Sequence, residues 1–240
     1  MSQHNIPAVI LAGGKGTRLR PLTAVFPKPM VPLGHKPIIE VLLTKLKNSG
    51  LTDITISTGY LAELIMALCG NGEKFGLNIS YVHEESPLGT AGSLSLIESL
   101  TGDAIIMNGD LLTTLSFQNM IAHHKAQEAD VTIAIYQRDV RIDFGVVQTD
   151  DQMNFQGFSE KPTYHYDVSM GVNILSEKAR SLITHNEYLD MPNLILKVHE
   201  TGGKVCCYQE DCYWLDIGRM DDYAQAQTDF EANEERFMAG

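Results

Sequence analysis

Three glycines within four positions, Gly13, Gly14 and Gly16, stand among Lys15, Arg18 and Arg20, directly after the apolar run Ala8-Val9-Ile10-Leu11. Glycine lets a backbone turn sharply and approach a ligand closely, leaving amide N–H groups to point at anionic oxygens. Lysine and arginine add positive charge, the guanidinium as a planar fork. Leu11, Ala12, Gly13, Gly14, Gly16, Thr17 and Arg18 therefore form a candidate phosphate-handling loop at the end of a buried strand. A second cationic element follows at Pro27-Lys28-Pro29, where prolines restrict the backbone on both sides of the lysine and so aim it. Neither common glycine motif accounts for the loop. A P-loop needs lysine after its last glycine, and Gly16 precedes Thr17; a dinucleotide fingerprint starting at Gly14 would need glycine where Leu19 stands.

The elements that must position these residues alternate through the first half of the chain. The sequence predicts strands at Pro7–Leu11, Asp53–Ser57, Ile79–His83, Ala104–Met107 and Val131–Tyr136. Between them it predicts helices at Pro37–Asn48, Leu61–Leu68, about Thr90–Leu100 and about Phe117–Ala126, the first with Pro37 at its first position and Gly50 past its end. Repeated βα units imply an α/β fold with a Rossmann-like, mixed but mostly parallel sheet flanked by helices. The second half reads differently. Gly145–Thr149 and Asn154–Ser159 flank Asp150-Asp151 as a hairpin, and Val168–Leu175 is a further strand. Lys204–Tyr208 and Tyr213–Ile217 are expected to pair around an acidic turn. These antiparallel strands would build a small lobe, with helices at Leu189–Glu200 and Met220–Phe230. Without a repeat or long linker, the expectation is one domain over 1–240, with about 6–140 binding one substrate, about 141–218 the other, and 219–240 a terminal helix.

Ligands of open α/β sheets bind beyond the carboxyl ends of the strands. Three sequence-distant segments converge there: Gly13–Arg20, Glu84–Gly92 and Asn108-Gly109-Asp110. Asp110, closing a buried strand, is a candidate magnesium ligand, since Mg²⁺ takes one or two carboxylates together with phosphate oxygens.

The run G-G-x-G-T-R-L-x-P-L-T followed by F-P-K-P resembles the signature of the sugar-1-phosphate nucleotidyltransferases, and further motifs continue in the expected order from about Ile6 to Tyr223. The resemblance implies condensation of an NTP with a sugar 1-phosphate, giving an NDP-sugar and pyrophosphate with Mg²⁺ as cofactor. It implies that Arg18 bridges α- and γ-phosphate oxygens, that Lys28 grips the phosphates of both substrates, and that Asp216 in W-L-D-I-G joins Asp110 on the metal. Arg18, Lys28 and Asp110 are thus the candidate catalytic residues. Glu84-Glu85-Ser86-Pro87-Leu88-Gly89-Thr90-Ala91-Gly92 resembles the second nucleotide loop, with Glu84, Pro87, Gly89, Thr90 and Asn108 as nucleotide contacts. Uridylyl- and thymidylyltransferases of the family usually carry glutamine five positions before that glycine. An ionised Glu84 offers acceptors only, which suits the adjacent N1–H and N2–H₂ donors of guanine and favours GTP.

For the sugar phosphate, the resemblance implies Gly145 in F-G-V-V, Glu160 and Lys161 in E-K-P, and the strand around Ser169-Met170-Gly171. Many relatives have asparagine two residues before that glycine; here Ser169 replaces it. In a regular strand Ser169, Gly171 and Asn173 share one face, which makes Asn173 the candidate replacement amide. Y-L-D-M-P at Tyr188–Pro192 and the W-L-D-I-G-R run look most like a bacterial surface-sugar subgroup, hence polysaccharide or glycoconjugate precursor synthesis. Two alternatives stay open: a uridylyl- or cytidylyltransferase, and a nucleotide-sugar-sensing subunit without activity. A sensor would be expected to lose Arg18, Lys28 or a metal carboxylate, and all are present.

Composition agrees with a small anionic substrate rather than a polymer. The formal charge of −12 argues against a nucleic-acid backbone, which needs clustered cations. Yet Lys15, Arg18, Arg20, Lys28 and Lys36 crowd a short stretch. No apolar run approaches the roughly 20 residues of a membrane span, and Met1–Asn5 carry no signal segment. The four cysteines lack paired C-x-x-C spacing, so reduced thiols in the cytoplasm are expected. A homo-oligomer is compatible with everything above.

Overall fold

The computed structural model describes residues 6–240; Met1–Asn5, read above as free of a signal segment, lie outside the described residues. Seven strands form the main sheet: β1 (Ala8–Ala12), β2 (Asp53–Thr58), β3 (Asn78–His83), β4 (Ala104–Asn108), β5 (Val131–Arg141), β6 (Thr163–Leu175) and β7 (Val205–Tyr208). Their order is β7-β5-β6-β4-β1-β2-β3. β1 pairs in parallel with β2 and β4, β2 with β3, and β5 with β7. β6 alone runs the other way, between β4 and β5. The α/β, mostly parallel reading therefore holds.

The apolar run of β1 has a simple cause, since a central parallel strand is covered on both faces. Ile10 packs with Ile56, Ile105 and Met107 under the helix Ile38–Asn48, whereas Val9 packs with Ile106, Leu175 and Leu194 on the opposite face. The register of β6 builds the lobe. Only Val172–Leu175 pair with β4, while Thr163–Ser169 pair with β5 alone, so both strands overshoot the carboxyl end of β4. Near this overhang Val146–Thr149 and Phe155–Ser159 form the expected antiparallel ribbon.

Two expectations need correction. The helix read over Thr90–Leu100 ends early: Gly89–Gly92 is one helical turn, continued as a 3₁₀ turn over Ser93–Leu96. The Ser95 hydroxyl donates to the Gly92 carbonyl at 2.7 Å, and Ile97 leaves helical geometry at ψ 83°. Serine offers the backbone such local alternatives to a helix. The second correction concerns Lys204–Tyr208 and Tyr213–Ile217, which do not pair with each other. Val205–Tyr208 joins the sheet edge beside β5, and Trp214–Asp216 pairs with Leu111–Thr113. Glu210 in the intervening turn accepts from the Ser116 N–H and the Tyr208 hydroxyl. The Thr113 and Thr114 hydroxyls meanwhile bond the backbone of Tyr213 at 2.8 Å each. The turn is thus tied to the segment that follows β4 instead of folding back on itself.

Candidate active site

A cavity of about 830 Å³ opens beyond the carboxyl ends of β1, β2, β3 and β4. Its wall brings together Leu11, Ala12, Gly13, Gly14, Lys28, Glu84, Pro87, Gly89, Thr90, Asn108 and Asp110, all singled out in the sequence. The strand order explains the meeting, because β1 lies between β2 and β4 and all three point the same way. Gly109 N–H donates to the Leu11 carbonyl at 2.9 Å, joining the first and third loops directly.

Lys28 is the electrostatic centre. Buried Pro27 and Pro29 flank it, and its ammonium donates to Asp110 Oδ2 while lying 3.9 Å from Asp216 Oδ1. Asp216 arrives from more than 100 positions away because Trp214–Asp216 pairs with Leu111–Thr113, placing it opposite Leu111. Ile217 N–H then donates to the Asp110 carbonyl at 3.0 Å. Arg18 does not line the cavity but approaches this second carboxylate. A Cβ built on Gly218 would sit 3.2 Å from Asp216 Oδ2 and 3.5 Å from an Arg18 guanidinium nitrogen.

Burial, with the neighbouring Asp110 carboxylate, raises the pKa of Asp216 above its ordinary 3.8, against the opposing pull of Lys28 and Arg18. Two carboxylates beside one lysine make a hard-oxygen donor set, and Asp110 Oδ1 is buried with no hydrogen-bond partner. Both facts fit a divalent cation completed by phosphate oxygens and water. Among the described residues no group of three or more His, Cys, Asp or Glu side chains forms a self-sufficient metal cage.

A stability prediction follows from the direction of that shift. With its folded pKa above the unfolded value, ionised Asp216 disfavours the folded state at neutral pH, and this penalty disappears below the unfolded pKa. Asp216→Asn should therefore keep or raise the melting temperature at pH 7, with the difference vanishing below about pH 3.8. Its Mg²⁺ requirement should rise in the same preparation. An unchanged Mg²⁺ dependence would reduce Asp216 to a turn former.

The second loop is held from several sides. Glu84 Oε1 accepts from the Ser57 hydroxyl at 2.9 Å and Oε2 from the Leu88 N–H at 3.0 Å. A Cβ on Gly13 would come within 2.7 Å of Glu84 Oε1, so the glycine loop packs directly on this carboxylate. Gly89 has φ +77°, and a Cβ there would lie 2.7 Å from the Leu189 carbonyl; only glycine fits that turn against its neighbour. Ala91 and Gly92 N–H both donate to the Leu189 carbonyl at 2.9 Å. The Thr90 hydroxyl accepts from Met191 N–H at 2.7 Å. Tyr188–Met191 thus clamps the loop, a role the Y-L-D-M-P phrase does not reveal in the sequence.

The sugar-side candidates are dispersed. Gly145, Glu160, Lys161 and Ser169 are exposed on the overhang and its loops, outside the cavity wall. Gly145 faces the Phe158 ring, where a Cβ would fall 2.2 Å from Cζ. Asn173 as the replacement amide is a correction, made by burial and not by facing. The register pairs Ser169 with Ile135 and Asn173 with Ile133, two apart on β5, so these side chains share one face across an irregularity in which Gly171 has φ +72°. Asn173 is 4% exposed within the sheet, opposite Ile106 and Ile133. Gly171 instead brings the lobe onto the site, its Cβ position 2.5 Å from the Asn108 amide nitrogen. Gly16 and Thr17 turn away from the cavity, with the Thr23 hydroxyl donating to the Gly16 carbonyl at 2.7 Å.

Residues that the sequence did not single out also line the wall, among them Gly59, Tyr60, His83 and Ser93. Gly59-Tyr60 had a usable signal, since they follow β2 at the same sheet edge. Tyr60 N–H donates to the Gly13 carbonyl at 3.4 Å.

Comparison with known proteins identifies the family. The chain is 32% identical over 237 residues to a mannose-1-phosphate guanylyltransferase of Mycobacterium tuberculosis, covering 95% of this chain and 66% of the relative. It is 31% identical to a UTP–glucose-1-phosphate uridylyltransferase of Synechocystis, covering 91% and 62%. The chain thus spans just under two thirds of the length of these relatives. A D-glycero-alpha-D-manno-heptose 1-phosphate guanylyltransferase of Aneurinibacillus thermoaerophilus is 31% identical and is covered over 98% of its length, with 93% of this chain. HddC of Yersinia pseudotuberculosis, solved in complex with GMP-PN, superposes with a TM-score of 0.74 at 25% identity over 94% of this chain and 99% of that one. The family described as nucleotidyl transferase matches residues 7–233, and this chain belongs to it.

Proposed function

We propose that this protein condenses an NTP, preferentially GTP, with a sugar 1-phosphate to give an NDP-sugar and pyrophosphate. One observation carries the reading: Lys28, Asp110 and Asp216 meet at the mouth of a cavity walled by two glycine loops, with Arg18 beside Asp216. In the reaction a phosphate oxygen of the sugar 1-phosphate attacks the α-phosphorus, and the bond to the departing pyrophosphate breaks. Approach of two anions is the main obstacle, so alignment and charge neutralisation are what the site must supply. The amides of Gly13, Gly14 and their neighbours would hold the NTP phosphates, Arg18 the charge that builds on the leaving group, and Lys28 the meeting point of both phosphates. A Mg²⁺ ion on Asp110 and Asp216 would offset phosphate charge when bound. Residues of about 6–140 form the nucleotide side. The overhang within about 141–218 forms the sugar side, with Gly145, Glu160, Lys161 and Ser169 as its contacts.

The preference for guanine rests on Glu84. Each of its oxygens already accepts one protein donor, and an ionised carboxylate has about four acceptor positions. The remaining positions suit N1–H and N2–H₂ of guanine, and two of the relatives named above are guanylyltransferases. The uridylyltransferase relative supports UTP as the second candidate. A matrix of four NTPs against mannose, heptose and amino-sugar 1-phosphates, read by pyrophosphate release, tests both. GTP should give the highest kcat/KM, and Glu84→Gln should narrow its lead over UTP by roughly ten- to hundredfold, the effect of opposing two donors in a buried contact. A wild-type preference for UTP would overturn the base assignment. Binding of an NDP-sugar with no pyrophosphate release from any pair would make the protein a sensor.

A further inference from the structure

Four buried side-chain atoms among the described residues have no hydrogen-bond partner: Ser93 Oγ, Asp110 Oδ1, His123 Nε2 and Asn173 Oδ1. Two of their residues, Asp110 and Ser93, belong to the cavity wall. Asp110 is at the end proposed for the phosphates, where a bound cation would account for its free oxygen. Ser93 opens the 3₁₀ turn that directly follows Gly89–Gly92, the helical turn that carries Thr90. It is 0% exposed and packed between Gly92 and Leu94. Its neighbours Ala91 and Leu94 belong to an apolar core cluster, so packing alone would be served as well by alanine. A hydroxyl left unpaired in such a wall loses its hydration without compensation. Ser95, two positions on, shows that this segment can satisfy a hydroxyl. Its Oγ donates to the Gly92 carbonyl at 2.7 Å and accepts from the Asn186 N–H at 3.0 Å.

We infer that Ser93 is a further specificity residue, its hydroxyl completing its hydrogen bonding on the nucleoside portion of the NTP rather than on the phosphates. This rests on the reading of the cavity as the NTP site. The nucleoside has two sources of that chemistry, the polar edge of the base and the ribose hydroxyls. The proposed reading puts both on the Glu84–Gly89 side of the cavity, away from Lys28 and Asp110.

The test uses the full-length chain and its Ser93→Ala variant, with Ser95→Ala as a control for loosening of the same turn. Forward kinetics give KM for GTP, UTP, inosine triphosphate and 2′-deoxy-GTP; the reverse reaction gives KM for pyrophosphate. Ser93→Ala should raise KM for the preferred NTP about five- to tenfold, the yield of one hydrogen bond, with the pyrophosphate KM unchanged and the melting temperature of the ligand-free protein unchanged or raised. If the wild-type advantage disappears with inosine triphosphate, the base amino group is the partner; if it disappears with the 2′-deoxy analogue, the ribose is. An unchanged NTP KM in Ser93→Ala would overturn the inference. So would equal losses for NTP and pyrophosphate, or a lowered melting temperature and raised KM matched by Ser95→Ala. Failure of the wild-type protein to turn over any NTP would instead strike the parent reading of the cavity, and is seen before any variant is compared.

Discussion

Arg18→Ala should lower turnover about 10²-fold or more, the scale of removing one preorganised charge-stabilising donor, while leaving the fold in place. The local backbone does not depend on the guanidinium. Leu19 is fully buried, its N–H donates to the Gly16 carbonyl at 2.9 Å, and the Thr23 hydroxyl holds the same carbonyl at 2.7 Å. The side chain itself is exposed beside Asp216 and Gly218, where an incoming polyanion would be its partner. Arg18→Lys should recover only part of the loss, because a point charge cannot span two phosphate oxygens as a planar fork does. The measurement is pyrophosphate release at saturating substrates, with melting temperature as the control. Near-normal turnover in Arg18→Ala would remove this residue from the mechanism.

Asp110→Asn should be equally severe, roughly 10²–10³-fold in turnover, because on the proposed reading it removes a carboxylate that would hold the metal and with it several kcal/mol of charge stabilisation. It should also displace the Mg²⁺ saturation curve to higher concentration. Lys28 can still donate to the asparagine carbonyl oxygen, and the Lys28 and Asp110 side chains are 12% and 19% exposed, so the folded state should survive. A circular dichroism melt within a few degrees of wild type, measured on the same preparation, would separate chemistry from collapse. Unaltered Mg²⁺ dependence would assign the Asp110 carboxylate to pairing with Lys28 alone.

The parts of this site that could be read in advance are those written contiguously. Gly13–Arg18 and Asn108–Asp110 each follow an apolar run, and a parallel sheet brings such strand ends to one edge whatever the details of packing, whereas Pro27-Lys28-Pro29 is marked by its own prolines. Asp216 was placed beside Asp110 only through the family motif, because nothing local to Trp214–Asp216 foretells pairing with Leu111–Thr113. The expected hairpin between Lys204–Tyr208 and Tyr213–Ile217 failed for the same reason: proximity in sequence suggested a partner, and Glu210 with Thr113 and Thr114 supplied others. The period-two rule puts Ser169 and Asn173 on one face, as the register does, but it does not tell that β4 and β5 flank Asn173 on both sides and bury it while Ser169 lies on the overhang. Ser57 under Glu84 and the Leu189 clamp left no local trace, since both are contacts across β-strand and loop boundaries. Ser93 is silent in sequence, as any buried small residue would be.

The Leu189 clamp has a consequence for how the protein comes into being. The loop after β3 is written by residue 92, yet the carbonyl that orders Ala91 and Gly92 and the N–H that engages Thr90 belong to Leu189 and Met191. Chains emerge from the ribosome N-terminus first, and structure accrues in that direction. During synthesis the glycine loop and β1 to β4 are therefore available long before the second loop can mature. A nascent chain arrested before Leu189 would lack the carbonyl and N–H that order the second loop, so that wall of the cavity is expected to mature after the glycine loop.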